Sequence, residues 1–146
     1  MNQSRGFVGR RGGASVTLPP GQYLTRDFPV LSAIPTPQLS LDTLLEDLVD
    51  DASFVLARSY GGYTTNVPVE DLMSGRAWIA FRFDGEDLEP EHGGPARLLV
   101  PHLYFWKSAK WVNGITLLNH DEPGFWETRG YHIYGDPWRE QRYSGD

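Results

Sequence analysis

The pattern of apolar and polar positions changes character along the chain, and each change predicts an element. Across SLDTLLEDLVDD (40–51), Leu41, Leu44, Leu45 and Leu48 fall at helical spacing and share one face. Ser40 stands before them as an N-cap and Asp42 lies in the first turn, where a carboxylate meets the positive end of the helix dipole. SFVLARSY (53–60) reads as a strand, and GGYTTN (61–66) as a Gly-led polar loop. Pro68 can open a short helix over VPVEDLM (67–73), because a first-turn Pro gives up no hydrogen bond. AWIAFRF (77–83) is a strand followed by the Asp84-Gly85 turn signal. ARLLVP (96–101) is a short buried strand ended by Pro101. KWVNGITLL (110–118) is another, with Asn113-Gly114 marking a bend or bulge.

The flanks lack such periodicity. Residues 1–15 are mostly Gly, Arg and Ser with little to bury, so a disordered arm is expected there. No apolar stretch follows this basic start, which therefore reads as an arm rather than a signal peptide. Residues 16–37 carry Pro19, Pro20, Pro29, Pro35 and Pro37, which forbid a helix or an interior strand and predict an extended surface segment. From Asn119 onward the tail is polar and aromatic, without repeat or heptad. The expected architecture is α+β, mostly β sheets with short helices, in one domain over 16–146.

Composition narrows the function classes. A chain of 146 residues can bury roughly 70% of its unfolded surface and needs no staples. It has no Cys, which removes disulfides, thiolate metal sites and a Cys nucleophile. A net charge of −6 and a pI near 5.1 argue against nonspecific nucleic-acid binding. No apolar run approaches the ~20 residues that span a bilayer, so the expectation is a soluble, cytoplasmic protein without a membrane partner.

The candidate chemistry gathers in EHGGPARLLVPHLYFWKSAKW (91–111). Gly93 and Gly94 let the backbone approach a ligand closely and adopt positive φ. Arg97 offers a planar fork for phosphate or carboxylate, while Lys107, Lys110 and His92 add charge nearby. Each charge-assisted bond to a phosphate is worth ~1.5–3 kcal/mol. Two solvated lysines and an Arg paired with a local carboxylate would read the same way, and by pattern alone that arrangement is the commoner one. A second candidate is SYGGYTTNVP (59–68), where Tyr63, Thr64, Thr65 and Asn66 either orient a polar ligand or cap the next helix. His92, His102, His120 and His132 show no metal-binding spacing beyond the local His120-Asp121-Glu122 group, and there is no GxSxG elbow.

Taken together, GGYTTNVPVEDL, AWIAFRFDGEDLEPEHGGPARLLVPHLYFWKSAKWV and GFWETRGYHIYGDPW resemble the later part of the molybdopterin domain of the sulfite oxidase family. The likeness is greatest to its short bacterial members and runs from about Leu18 to the end. It implies a shortened version of that fold. It also implies a Mo-molybdopterin cofactor and oxygen-atom transfer on a small oxyanion or sulfoxide, with an electron carrier as partner. His92 and Arg97 match residues that hold the pterin. Lys107 and Lys110 match positions facing its terminal phosphate or pterin, and Tyr63 matches a tyrosine beside the substrate pocket. In that family a protein thiolate binds molybdenum, from a segment that IPTPQLSLDTLL passes over near 36–42. The loss predicts exposed strand edges open to self-association. It leaves three readings: a molybdopterin oxidoreductase, an inactive remnant or phosphate/pterin-binding module, and a self-associating scaffold.

Overall fold

Short β-forming runs, broken by Gly and Pro turns, build small antiparallel sheets over one shared core. The computed structural model describes residues 6–7, 15–17, 38–46, 52–83 and 85–146. In chain order the elements begin with β1 (Gly6–Phe7), β2 (Ser15–Thr17), β3 (Gln38–Ser40) and α1 (Leu41–Leu45). Next come β4 (Phe54–Ser59), β5 (Thr64–Pro68), α2 (Val69–Leu72) and β6 (Trp78–Ala80). The series ends with β7 (Arg82–Phe83), β8 (Glu86–Asp87), β9 (Arg97–Leu99) and β10 (Val112–Leu118). The α+β class, mostly β with short helices, is the one expected.

The largest sheet runs β1-β2-β10-β4-β5, antiparallel throughout. Alternate residues of β4 point inward, so Val55 and Ala57 are fully buried. Leu117 and Val67 flank Val55 across the neighbouring strands, and Ile115 lies opposite Ala57. β10 shifts register between Val112 and Gly114, at the Asn113-Gly114 pair. The second sheet, β3-β6-β9, sets Leu39, Ile79 and Leu98 in one row. All three are buried in the cluster that also takes Leu41, Leu44 and Leu45 from α1. Ser40 caps α1 by accepting from the Asp42 N–H at 3.2 Å.

Three expectations change. The Gly-led loop ends at Tyr63, and 64–68 is a strand whose polar residues serve a network described below. AWIAFRF divides at the buried Phe81: β6 joins the core sheet, and β7 turns out into a hairpin with β8 held by Arg82 Nε on Asp87 Oδ1 at 3.0 Å. The helix is defined only over Leu41–Leu45. Leu48, with 47–51, falls outside the described residues, as does Asp84. The expected arm at 1–15 and Pro-rich segment at 16–37 also lie outside them, save for the paired strands β1 and β2.

The polar-aromatic tail packs along the outer side of β5. The Phe125 N–H donates to the Thr64 carbonyl at 2.8 Å. At Gly124 a Cβ would lie 2.4 Å from that same oxygen, so only Gly lets the tail come this close. Asn66 Nδ2 reaches Asp121 Oδ1 at 2.7 Å and the Ile133 carbonyl at 3.1 Å.

Candidate functional site

A pocket of about 180 Å³ opens where the start of β5, the head of β9, the 105–111 segment and Trp126 meet. Tyr63, Arg97, Lys110, Trp106, Trp111 and Trp126 form most of its wall. Two positive-φ glycines, Gly61 and Gly62, turn the chain out of β4 and deliver Tyr63 to it. The Tyr63 hydroxyl donates to the Trp106 carbonyl, and its ring leans on Phe125 at 5.8 Å. Burial pushes the phenol well above its ordinary value, and the nearby Glu127 carboxylate adds to the rise.

Arg97 begins β9 and is anchored by Nη1 donating to the His92 carbonyl at 3.2 Å. Its Nε is buried and finds no acceptor among the described residues. Lys110 Nζ donates to the Glu91 carbonyl at 2.8 Å, which leaves it N–H groups to spare. The stems of these two cations cross over Gly93, where φ is +106° and a Cβ would stand 3.0 Å from Arg97 Cδ and from Lys110 Cγ. Gly94 meets the Leu88 carbonyl instead, at 1.8 Å from a hypothetical Cβ. The glycine pair thus serves close approaches within the chain.

Trp106 is 5% exposed, stacked on Tyr104 at 4.8 Å and met edge-on by Tyr131 at 5.0 Å. Its indole Nε1 is buried without an acceptor among the described residues. Sequence reasoning passed over this donor, and the only signal for it was the LYFW aromatic run.

Lys107 corrects the sequence expectation most sharply. Its side chain is fully buried behind the pocket wall, not facing into it. Nζ donates to Glu127 Oε1 at 2.7 Å, Asn66 Oδ1 at 2.9 Å, the Asn66 carbonyl at 2.8 Å and the Ile133 carbonyl at 2.6 Å. An ammonium has three donors, so none remains for a phosphate. Burial pushes its proton affinity down, while Glu127 and Asp121 work against that. His92 stands two-thirds exposed and is not part of the pocket wall, with Nδ1 3.7 Å from Glu89 Oε2. Tyr63, Arg97 and Lys110 are therefore brought together, His92 adjoins them through its carbonyl, and Lys107 supports them from behind.

The other histidines lie elsewhere. His102 Nε2 sits 2.7 Å from the buried Asp71 Oδ1, which also takes the Tyr134 hydroxyl at 3.0 Å and Arg76 at 3.4 Å. Burial, then the Asp71 hydrogen bond, pushes the Tyr134 phenol up to about 12. His132 Nδ1 accepts from the Tyr134 and Gly135 N–H groups, and His120 Nε2 lies 3.6 Å from Glu122 Oε2.

An aromatic wall that carries two cations, Arg97 and Lys110, suits a flat, oxygen-rich, anionic ligand. At about 180 Å³ the pocket is below the ~300–1,000 Å³ of drug-sized sites, so it takes one end of such a ligand.

A family model described as the oxidoreductase molybdopterin binding domain matches residues 39–126, the stretch that builds both the core sheet and this pocket. The chain belongs to that family. This molybdopterin-binding domain is 47% identical over 97 residues to the uncharacterized oxidoreductase YuiH of Bacillus subtilis (strain 168), covering 66% of this chain and 49% of the relative. It is 32% identical over 73 residues to the protein-methionine-sulfoxide reductase catalytic subunit MsrP of Gluconobacter oxydans (strain 621H), covering 50% of this chain and 23% of the relative. With the sulfite oxidase of Arabidopsis thaliana it shares 30% identity over 56 residues, 38% of this chain and 14% of the relative. The domain thus spans about half the length of YuiH and less of the other two. The organic part of a molybdopterin fits the donors present. Its metal does not find a thiolate here, because the chain has no Cys.

Proposed function

We propose that the pocket binds one end of a molybdopterin cofactor within an oxidoreductase that transfers oxygen to or from a small oxyanion or sulfoxide. The observation that carries the reading is the meeting of two cations, Arg97 and Lys110, on one otherwise aromatic wall. A charge-assisted hydrogen bond from either cation to an anionic oxygen contributes ~1.5–3 kcal/mol. Two relatives are named for sulfite and for methionine sulfoxide, and this supports the substrate class.

Bound molybdopterin supplies the metal-centred two-electron step. Arg97 and Lys110 neutralise its anionic end, and the Trp106, Trp111 and Trp126 side chains border its flat part. His92, whose carbonyl anchors Arg97, meets whatever part extends beyond the pocket. Tyr63 keeps its proton at working pH and so acts as a hydrogen-bonding group rather than an anion. The aromatic rings exclude water, which strengthens every charge contact inside. An electron carrier completes the cycle, in a cytoplasmic setting. Among the described residues no helix is long and apolar enough to cross a membrane.

The absence of Cys favours a second reading, a pterin- or phosphate-binding module without molybdenum turnover. Molybdenum and pterin analysis of protein from a cofactor-competent host decides between them. Pterin bound with stoichiometric metal supports the enzyme, pterin without metal supports a pterin-binding module, and the absence of both sinks the enzyme and leaves the module only if the protein binds inorganic phosphate. Arg97→Ala with Lys110→Ala should abolish the pterin signal and leave the fold intact.

A further inference from the structure

Lys107 and Glu127 form an ion pair whose side chains are 0% and 1% exposed. Burying two charges is expensive, and a hydrophobic pair of similar volume is often as stable or more so. Stability alone therefore does not account for this pair, but its position does. Lys107 follows Trp106 in the chain. Glu127 follows Trp126. Thr65, which donates to Glu127 Oε1 at 2.8 Å, and Asn66, which accepts twice from Lys107, come just after Tyr63. Three aromatic residues of the pocket wall are thus each tethered, within one to three residues, to the same buried network.

The Lys107 ammonium draws the 105–107 turn onto β5, and there the Trp106 carbonyl meets the Tyr63 hydroxyl. It also grips the Ile133 carbonyl, two residues beyond Tyr131, whose ring packs on both Trp106 and Trp126. Glu127 Oε2 has no partner among the described residues, so the carboxylate is held through Oε1 alone, where Lys107 and Thr65 converge.

We propose that the buried Lys107–Glu127 pair is a positioning device that sets Tyr63 and Trp106 in the pocket, rather than a cation that meets the ligand. The proposal shares with the proposed function only the assumption that this pocket is the ligand site.

The test needs no ligand, so its outcome is separate from whether pterin binds. The measurements, on the full chain, are the exchange rate of the Tyr63 hydroxyl proton and the chemical shift of the Trp106 indole N–H by NMR. Thermal melting is followed alongside them. Glu127→Gln keeps the shape and an Oε1 acceptor but removes the charge. It also leaves the Lys107 charge buried without a counter-ion, so the melting temperature should fall, but the Asn66 and Ile133 acceptors remain on Nζ and melting should stay cooperative, while the weakened hold on the 105–107 turn should quicken hydroxyl exchange about tenfold. Lys107→Met with Glu127→Met replaces the pair by apolar chains. That variant should still fold, lose the protected Tyr63 proton and move the Trp106 signal, with the Trp78 indole unmoved as a control. If both variants fold and the Tyr63 and Trp106 signals stay in place, the pair is only structural and the proposal fails. Should the double variant not fold, Glu127→Gln decides alone, and unchanged exchange in it overturns the idea.

Discussion

At Gly93 the geometry of a single residue governs two cations. A Cβ there would touch the stems of Arg97 and Lys110 at 3.0 Å, and the φ of +106° is one that side-chain-bearing residues rarely adopt. Gly93→Ala should therefore act twice. The left-handed backbone should cost about 1–2 kcal/mol, read as a lower urea midpoint with an unchanged slope. The displaced stems should also part the two positive charges. Iodide, an anion, would then quench tryptophan fluorescence less, whereas neutral acrylamide would quench as before. Equal iodide quenching in variant and wild type would show that Gly93 has no part in gathering the charges. In the sequence the glycine pair was legible as a place of close approach. What approached was not, because Lys110 is separated from Gly93 by β9 and a turn, and no local pattern brings it back beside Arg97.

Among the elements, α1 is tied to the turn after α2 by one carboxylate. Asp42 Oδ1 accepts from the Ser74 N–H and Oδ2 from the Gly75 N–H, each at 2.6 Å. The Gly75 N–H is the largest cause holding the Asp42 carboxyl below its ordinary 3.8; burial acts the other way, and the Ser74 N–H and Ser40 hydroxyl add to the lowering. A carboxyl lowered in the folded state stabilises the fold above its unfolded value, and that stabilisation disappears as pH falls through the folded value. Asp42→Asn should thus be less stable at pH 7, by about 1 kcal/mol given the exposure of the site. The gap between variant and wild type should close as pH drops below 3.8. Thermal melts across that range check this, and a gap that holds constant down to pH 2 would remove Asp42 as its source. Ser40 and Asp42 were both legible as helix-start signals, though the reach of Asp42 to a turn thirty-odd residues away was not. The Asn113-Gly114 signal located the β10 bulge correctly. β5 was missed because Thr64, Thr65 and Asn66 carry no apolar alternation. Their polar side chains suit a strand whose partners are the buried Lys107–Glu127 network and the tail.

For the whole molecule, the tail is the part whose role was least legible. It looked like a polar, aromatic terminus, and Glu127 lies twenty residues from the lysine it pairs with. Yet residues 119–146 cover the edge of β5 and supply Lys107 with Glu127 and the Ile133 carbonyl. A chain cut after Leu118 loses both. The Lys107 ammonium would keep only Asn66, and a buried charge stripped of its partner costs about 3–5 kcal/mol, a large share of the 5–15 kcal/mol that holds a typical domain together. The bared edge would offer unpaired N–H and C=O groups to another copy. The shortened chain should melt without a cooperative transition and scatter light as a polydisperse assembly. Lys107→Met in that background separates the two causes. It removes the stranded charge and so should bring back cooperative melting, but it leaves the edge open, and association should persist. If the substitution restores a single monodisperse species as well, the stranded charge alone drove the association and the edge of β5 needs no cover. If it restores neither, the tail supports the fold through its aromatic packing on Trp106 rather than through Lys107.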